Sequence, residues 1–209
     1  FEKPPQLHAL QLASKIVGKP FFKGQEQRMS QEEMEYAMEF IENNFVFQDH
    51  QAGSPFTIEG ILDFASSSLL RANTSVLVID PFNFIDIKQG RQLLTEAINK
   101  MLTKVSQWAK QTQSIVMFVA HPAKPQDRGQ KVATGLDISG SISWYTKADF
   151  LLSVSRNDYD TEVHVQKVRW NFQGTQGVAK LSYDLNSGRF VELSEDIGFD
   201  KDYEWTTDF

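Results

Sequence analysis

The sequence predicts an α/β fold in which helices flank a parallel sheet and antiparallel strands complete the chain. Two apolar runs, at residues 75–80 and 115–120, have strand length, and each follows a segment with helical spacing. Such continuous runs are typical of strands buried on both faces of a parallel sheet. Later runs, such as Val163 to Gln166, alternate apolar and polar residues, which is typical of antiparallel strands. Helices alternating with buried strands favour the α/β class.

The first part of the chain carries start and stop signals for three helices. Pro5 marks a helix start, and Gly18 ends the apolar spacing that follows it. Ser30 and Glu33 have the spacing of a capping box, in which each side chain accepts a hydrogen bond from the other residue's backbone N–H. Thr57 precedes a third apolar helical pattern. We therefore expect three helices before the first buried strand.

The remaining pattern predicts one more helix and several short strands. Residues 44–47 form a short strand candidate, and residues 92–110 read as an amphipathic helix between the two buried strands. Further strands are predicted near 149–155, 161–169, 178–184 and 189–193.

Composition excludes several classes of protein. The chain has 209 residues and no Cys, which excludes a disulfide scaffold, a thiolate metal site and a Cys nucleophile and suits a cytoplasmic setting. No apolar run approaches the roughly 20 residues that a membrane span needs. The chain begins with Phe1 and not Met, so we expect residues missing upstream.

The net charge of −6 belongs to one end of the chain. Residues 192–209 hold seven acids and one base, whereas residues 1–191 hold equal numbers of each. Charged tails of this kind are usually solvated and often bind a partner. We therefore expect a body at 1–193 and an acidic tail at 194–209, which either solubilises the protein or anchors Tyr203, Trp205 and Phe209 in a partner.

The candidate chemistry lies at the ends of the two most apolar strands. Asp80 and His121 follow those strands directly, and ligands of parallel sheets bind beyond the carboxyl ends of the strands. Asp80 after four apolar residues fits a Walker-B carboxylate, which helps to hold Mg²⁺ on a nucleoside triphosphate. The alternatives are an Asp that caps the next helix and a structural His.

Two groups of cations could meet anions. Lys167 and Arg169 lie two apart on a predicted strand, so both project from one face, as a solvated surface or as an arginine finger. Lys124, Arg128 and Lys131 lie in a loop that follows His121, and such a loop is either merely solvated or follows a nucleic-acid backbone.

In their order and spacing these motifs resemble the RecA-like motor domain of the DnaB-type hexameric replicative helicases. The resemblance is strongest to the Twinkle-like branch and to the primase-helicases of short-tailed phages. Six segments carry it: FEKPP, VLVIDPFN, VMFVAHPAKP, KPQDRGQK, DISGSISWYTKAD and VQKVRWNFQGTQG. The resemblance covers essentially the whole chain and implies a P-loop NTPase core.

The resemblance assigns roles to matching residues. It implies that Glu2 activates the attacking water, that Asp80 is the magnesium carboxylate and that His121 senses the γ-phosphate. Lys167 and Arg169 match the lysine and arginine finger that complete a neighbouring subunit's site.

The resemblance extends to ligands and partners. Arg156 and Tyr183 lie where the family contacts the nucleotide base, and the loop with Lys124, Arg128 and Lys131 matches its DNA-binding loop. The implied cofactor is Mg²⁺, with ATP or dTTP as substrate. The implied partners are single-stranded DNA, a hexameric ring of identical subunits and a replicative polymerase that docks on the tail. The implied location is the cytoplasm of a bacterial or phage-infected cell, or the mitochondrion for a Twinkle-like protein.

One departure from the family concerns the phosphate loop. No G-x-x-x-x-G-K-[ST] sequence is present, and Gly18-Lys19 is followed by Pro20. We therefore expect truncation upstream, and a chain that by itself binds nucleotide poorly. The alternatives are another RecA-like ATPase of recombination or repair, and a non-catalytic scaffold that recruits a polymerase.

Overall fold

A computed structural model describes residues 3–22, 24, 27–48, 56–87, 93–122, 132–138, 140–156 and 160–193. The five helices of this part of the chain are α1 (Pro5–Val17), α2 (Gln31–Asn44), α3 (Ile58–Ala72), α4 (Leu94–Thr112) and α5 (Ser143–Lys147). Its six strands are β1 (Val76–Ile79), β2 (Ile115–Phe118), β3 (Phe150–Arg156), β4 (Thr161–Val168), β5 (Gly177–Tyr183) and β6 (Phe190–Glu192). Single 3-10 turns lie at Phe82–Phe84 and Asn171–Gln173.

The predicted helix boundaries are confirmed by the capping interactions. The Glu33 backbone N–H donates to Ser30 Oγ over 3.2 Å, and the Ser30 N–H donates to Glu33 Oε2 over 2.8 Å. Thr57 Oγ1 accepts from the Gly60 N–H, and Gly18 ends α1 with a φ of 79°. A left-handed residue of this kind favours glycine, because it has no Cβ.

The strands form a parallel pair and a separate antiparallel sheet. β1 and β2 are parallel, with Ile79 opposite Phe118, and β3 to β6 follow one another in an antiparallel meander. The predicted combination of helices, parallel strands and an antiparallel extension is confirmed. In the described residues the parallel part has two strands and the antiparallel part four.

The main hydrophobic core lies between the parallel pair and α3 and α4. Ile79 and Ile98 are almost completely buried there, and Trp144 of α5 closes the same cluster. A second core joins α1 to α2, with Ala13, Ala37 and Ile41 at its centre. Small residues at the α1–α2 contact allow the two helix backbones to approach closely.

The prediction that β1 and β2 are buried on both faces is wrong for the part of the chain that the structure describes. Side chains alternate across a strand, and only one set, which includes Leu77 and Ile79, packs against the core. The opposite set is 41–62% exposed: Val76, Val78, Ile115, Met117 and Val119. Within the described residues, nothing covers that second face. Both faces of β1 and β2 are therefore apolar, but the described residues cover only one of them.

The predicted strand at 44–47 is also wrong. Helix α2 continues to Asn44, and the residues after it are extended without a ladder partner among the described residues. Phe47 instead packs against the α1–α2 core, with its ring 6.5 Å from that of His8. A run of aromatic and β-branched residues favours extended backbone, but it forms a strand only where a partner is available.

Candidate functional site

Asp80 and His121 lie at the same edge of the parallel pair. The Val119 N–H donates to the Ile79 carbonyl over 2.9 Å, and the Phe82 N–H donates to the Val119 carbonyl over 2.8 Å. These two bonds continue the ladder past the last strand residues and hold the carboxyl ends of β1 and β2 together. Asp80 and His121 are both exposed. Both residues therefore lie exposed just beyond the carboxyl ends of the two parallel strands, where the sequence predicted them.

The donor atoms at this edge fit a hard divalent cation bound with a ligand. Mg²⁺ is commonly held by one or two carboxylates together with waters and substrate phosphates. The described residues contain no group of three His, Asp or Glu side chains that could hold a metal ion by themselves. Asp80 fits an Mg²⁺ ion that also needs phosphate oxygens, and it does not fit a closed protein cage.

Trp144 supports this edge from below. Its ring meets those of Phe82 and Phe118 edge to face, with centroid distances of 4.6 Å and 5.4 Å. Phe82 follows Asp80 by two residues, and Phe118 precedes His121 by three. Trp144 Nε1 is buried and has no hydrogen-bond partner among the described residues. The indole therefore contributes shape and ring contacts at this place, and its N–H is a small destabilising element.

Gly140 brings the segment before α5 against α4. It has a φ of 96°, and a Cβ at this position would lie 2.5 Å from Ile98 Cδ1. Both the conformation and the space require glycine. Ser141 then accepts a 3.0 Å hydrogen bond from the Ser143 N–H through its Oγ, at the first turn of α5. The DISGSISWYTKAD segment thus fixes α5 against the core.

Lys167 reaches the carboxyl end of α5. Its Nζ donates to the Tyr145 carbonyl over 2.6 Å and to the Thr146 carbonyl over 3.4 Å, and it lies 5.1 Å from the centre of the Tyr145 ring. Partial burial, and then the neighbouring Arg169 charge, lower the pKa of Lys167, while Asp149 opposes that shift. The Lys167 ammonium is therefore a half-buried cation that two backbone carbonyls hold in place.

Arg169 binds the same helix end. Its Nη2 donates to the carbonyls of Thr146, Lys147 and Ala148 over 3.1, 2.9 and 3.2 Å. Its Nε donates to Asp149 Oδ1 over 2.6 Å. The last carbonyls of a helix lack internal partners and carry partial negative charge, so a guanidinium is well placed there. The prediction that both cations project the same way is supported, because both contact Thr146.

An open cleft of about 630 Å³ lies beside Arg169. Its walls come from the outer face of α4, the end of α5 and the 3-10 turn after β4. Lys110, Lys147 and Arg169 bring positive charge to it, and Asp149 brings negative charge. The cleft therefore has a net positive lining.

Arg156 and Tyr183 are brought together across the antiparallel sheet. The Arg156 guanidinium carbon lies 5.9 Å from the centre of the Tyr183 ring, and that ring lies 5.0 Å from Phe190. A cation over an aromatic ring is a favourable pair. No observation tests the expectation that these two residues contact a nucleotide base.

Several predicted site residues lie outside the described residues. These are Glu2, the three loop cations Lys124, Arg128 and Lys131, and the acidic tail at 194–209. The sequence pattern assigns no role to Trp144 or to the α5 carbonyls, and Asp149 lies within a family-like motif without a role of its own. Backbone carbonyls have no residue signature, so no sequence signal could have found them. For Trp144 the available signal is a large aromatic residue in the segment 137–149, which indicates packing against a core.

The membrane expectation can be tested on the described residues only. None of their helices combines the length and the apolar character that a membrane span requires.

Comparison with known proteins supports the motif reading. No protein-family model matches the chain. The chain is 33% identical over 197 residues to the Twinkle homolog protein, chloroplastic/mitochondrial, of Arabidopsis thaliana. That match covers 88% of this chain and 28% of the relative.

Comparison of folds points the same way. A solved structure of a DnaB-like replicative helicase and its interactions with primase is similar, with a TM-score of 0.70 at 16% identity. This similarity covers 92% of the present chain and 50% of the solved one, and at this identity it concerns the fold. In sequence the chain is therefore similar to part of a Twinkle homolog, and in fold it is similar to half of a DnaB-like replicative helicase chain.

Proposed function

We propose that this chain is part of a replicative 5′–3′ DNA helicase, which couples NTP hydrolysis to movement along single-stranded DNA and to duplex unwinding. The observation that carries the proposal is that Asp80 and His121 follow the carboxyl ends of two paired parallel strands, in a chain that is similar to a Twinkle homolog. The experiments below use the parent protein, meaning a longer helicase that contains this chain together with a phosphate loop.

The proposed chemistry places the triphosphate between subunits of a hexameric ring. Asp80 helps to hold Mg²⁺, which neutralises charge on the phosphates of ATP or dTTP when bound. Glu2 orients and deprotonates the attacking water, and His121 contacts the γ-phosphate. Lys167 and Arg169 of the adjacent subunit face the charge that develops during phosphoryl transfer. Positioning and electrostatic stabilisation are the main sources of catalysis in this reaction class.

The remaining predicted residues serve binding. Arg156 and Tyr183 form a platform for the nucleotide base, supported by their contact across the sheet. Lys124, Arg128 and Lys131 contact DNA phosphates, so that binding weakens steeply with salt. The acidic tail docks a replicative polymerase. Its charge and its aromatic end support that role, and a location in a bacterial or phage-infected cytoplasm or in an organelle is compatible with it.

A fork-unwinding assay on the parent protein tests this function. We expect unwinding that depends on NTP, on Mg²⁺ and on a 5′ single-stranded tail, and we expect Asp80→Asn to abolish it. NTPase activity stimulated by DNA, but without unwinding of any fork, would favour a recombination or repair ATPase. The 209-residue chain alone should show no NTPase activity, and robust hydrolysis by it would contradict the proposed need for an upstream phosphate loop.

A further inference from the structure

Arg169 is held by hydrogen bonds to its backbone and to its side chain. Its backbone N–H donates to the Asp149 carbonyl over 2.9 Å, and its Nε donates to the Asp149 carboxylate over 2.6 Å. Its Nη2 meets three carbonyls of the α5 end. One residue, Asp149, therefore fixes both the backbone and the side chain of Arg169.

Exposure argues against a purely stabilising role for this ion pair. The Arg169 side chain is 35% exposed and that of Asp149 is 62% exposed. Ion pairs with such access to water contribute little to folding, because water and salt screen them and two side chains lose freedom. What the contacts do provide is direction, since Nε and Nη2 are held on one edge of a planar, rigid group.

The ion pair borders an open cleft. Arg169 and Asp149 both line the cleft of about 630 Å³ between α4, α5 and the turn after β4. A guanidinium that is already oriented at the mouth of a cleft needs little reorganisation when a phosphate approaches. An arginine without such a partner would sample many rotamers, and ordering it at the transition state would slow the reaction.

We propose that Asp149 is the positioning residue for Arg169, and that together with the α5 carbonyls it orients the guanidinium for the neighbouring subunit's triphosphate. This inference rests on the proposed function, because it assumes that Arg169 acts on phosphate. Asp149 acts through Arg169 and does not itself touch the nucleotide. The carboxylate holds Nε, so the edge that carries Nη1 remains directed away from Asp149.

The test compares four variants of the parent protein by steady-state NTPase kinetics: Asp149→Asn, Arg169→Ala, the double variant and the control Asp63→Asn. Asp63 is an exposed acid on α3, and it is far in sequence from Asp149 and Arg169. For Asp149→Asn we expect kcat to fall about tenfold with KM for nucleotide unchanged, as for a misplaced catalytic group. Ring assembly and melting temperature should match the control.

The double variant separates positioning from other roles. If Asp149 acts through Arg169, the double variant has the kcat of Arg169→Ala alone. The inference would be overturned if the double variant had a kcat about tenfold below that of Arg169→Ala, or if Asp149→Asn had a normal kcat. Neither result would affect the proposed function. An unchanged kcat for Arg169→Ala would instead overturn the proposed finger, and this inference with it.

A charge-conserving variant guards against a folding artefact. Asp149→Glu keeps the carboxylate and can still reach Nε, so we expect it to retain more of the wild-type kcat than Asp149→Asn does. Equal losses in the two variants would indicate that the exact side chain serves packing, and would count against positioning.

Discussion

The Asp80 edge and the Arg169 corner are built in different ways. Asp80 and His121 are set by the strands before them, through two backbone hydrogen bonds and a buried core under the sheet. Lys167 and Arg169 are set by their own side chains, which donate to the carbonyl end of a five-residue helix. One half of the proposed site thus depends on hydrophobic packing, and the other on hydrogen bonds that water can reach. The two halves should therefore respond differently to mutation.

The largest expected effect is the loss of NTPase activity when either half of the site is removed, and mixed rings then test whether the two halves belong to different subunits. In the parent protein, Asp80→Ala and Arg169→Ala should each reduce NTPase activity by about 10³-fold or more, because each removes a group that acts on the transferred phosphate. Mixing the two variants should restore roughly a quarter of wild-type activity, since a ring built from heterologous contacts then contains interfaces with both groups intact. The measurement is NTPase rate against mixing ratio. No recovery in verified mixed rings would place both residues in one subunit's site.

The second prediction concerns the packing beneath Asp80. Ile79→Ala should destabilise the domain by about 2–5 kcal/mol, because it leaves a cavity at a fully buried position. Met117→Ala, on the exposed face of the same strand pair, is the matched control and should cost far less. Urea unfolding followed by circular dichroism measures both. Equal losses would mean that a covering segment buries the second face in solution.

The third prediction concerns the ring that lies between the halves. Trp144→Phe should change stability by less than about 1.5 kcal/mol, because it keeps an aromatic ring and removes an N–H that no described residue accepts. Trp144→Ala should cost about 3–5 kcal/mol through the cavity it leaves. Thermal unfolding of both variants checks this. A large loss for Trp144→Phe would reveal a hydrogen-bond partner for Nε1.

The smallest effect is a pH dependence at the Arg169 corner. The folded protein lowers the pKa of Lys167 below its ordinary value of 10.5, mainly through burial. Between the lowered value and 10.5 the unfolded chain binds more protons, so Lys167 makes stability rise with pH in that window. Lys167→Gln should remove this rise. Urea unfolding at several alkaline pH values measures it, and an unchanged slope in the variant would contradict the burial effect.

The sequence predicted the elements better than their surroundings. Caps at Ser30 and Gly18 are local, so the letters alone place them. Asp80 and His121 were found because strand ends follow apolar runs. The one-sided burial of β1 and β2 could not be found, because the pattern records the apolar character of both faces and not which residues cover them. The α5 carbonyls that hold Arg169 belong to the backbone, so residue types do not reveal them.

Helix α5 contacts both halves of the proposed site. Trp144 touches the residues that flank Asp80 and His121, and the next residue, Tyr145, offers its carbonyl to Lys167. Neighbouring residues of a helix rise only about 1.5 Å and turn together. A shift of Phe82 that rotated the indole would therefore turn the carbonyl that holds Lys167 in the same movement. Helix α5 therefore joins the aromatic packing near Asp80 to the hydrogen bond that holds Lys167 through two consecutive residues.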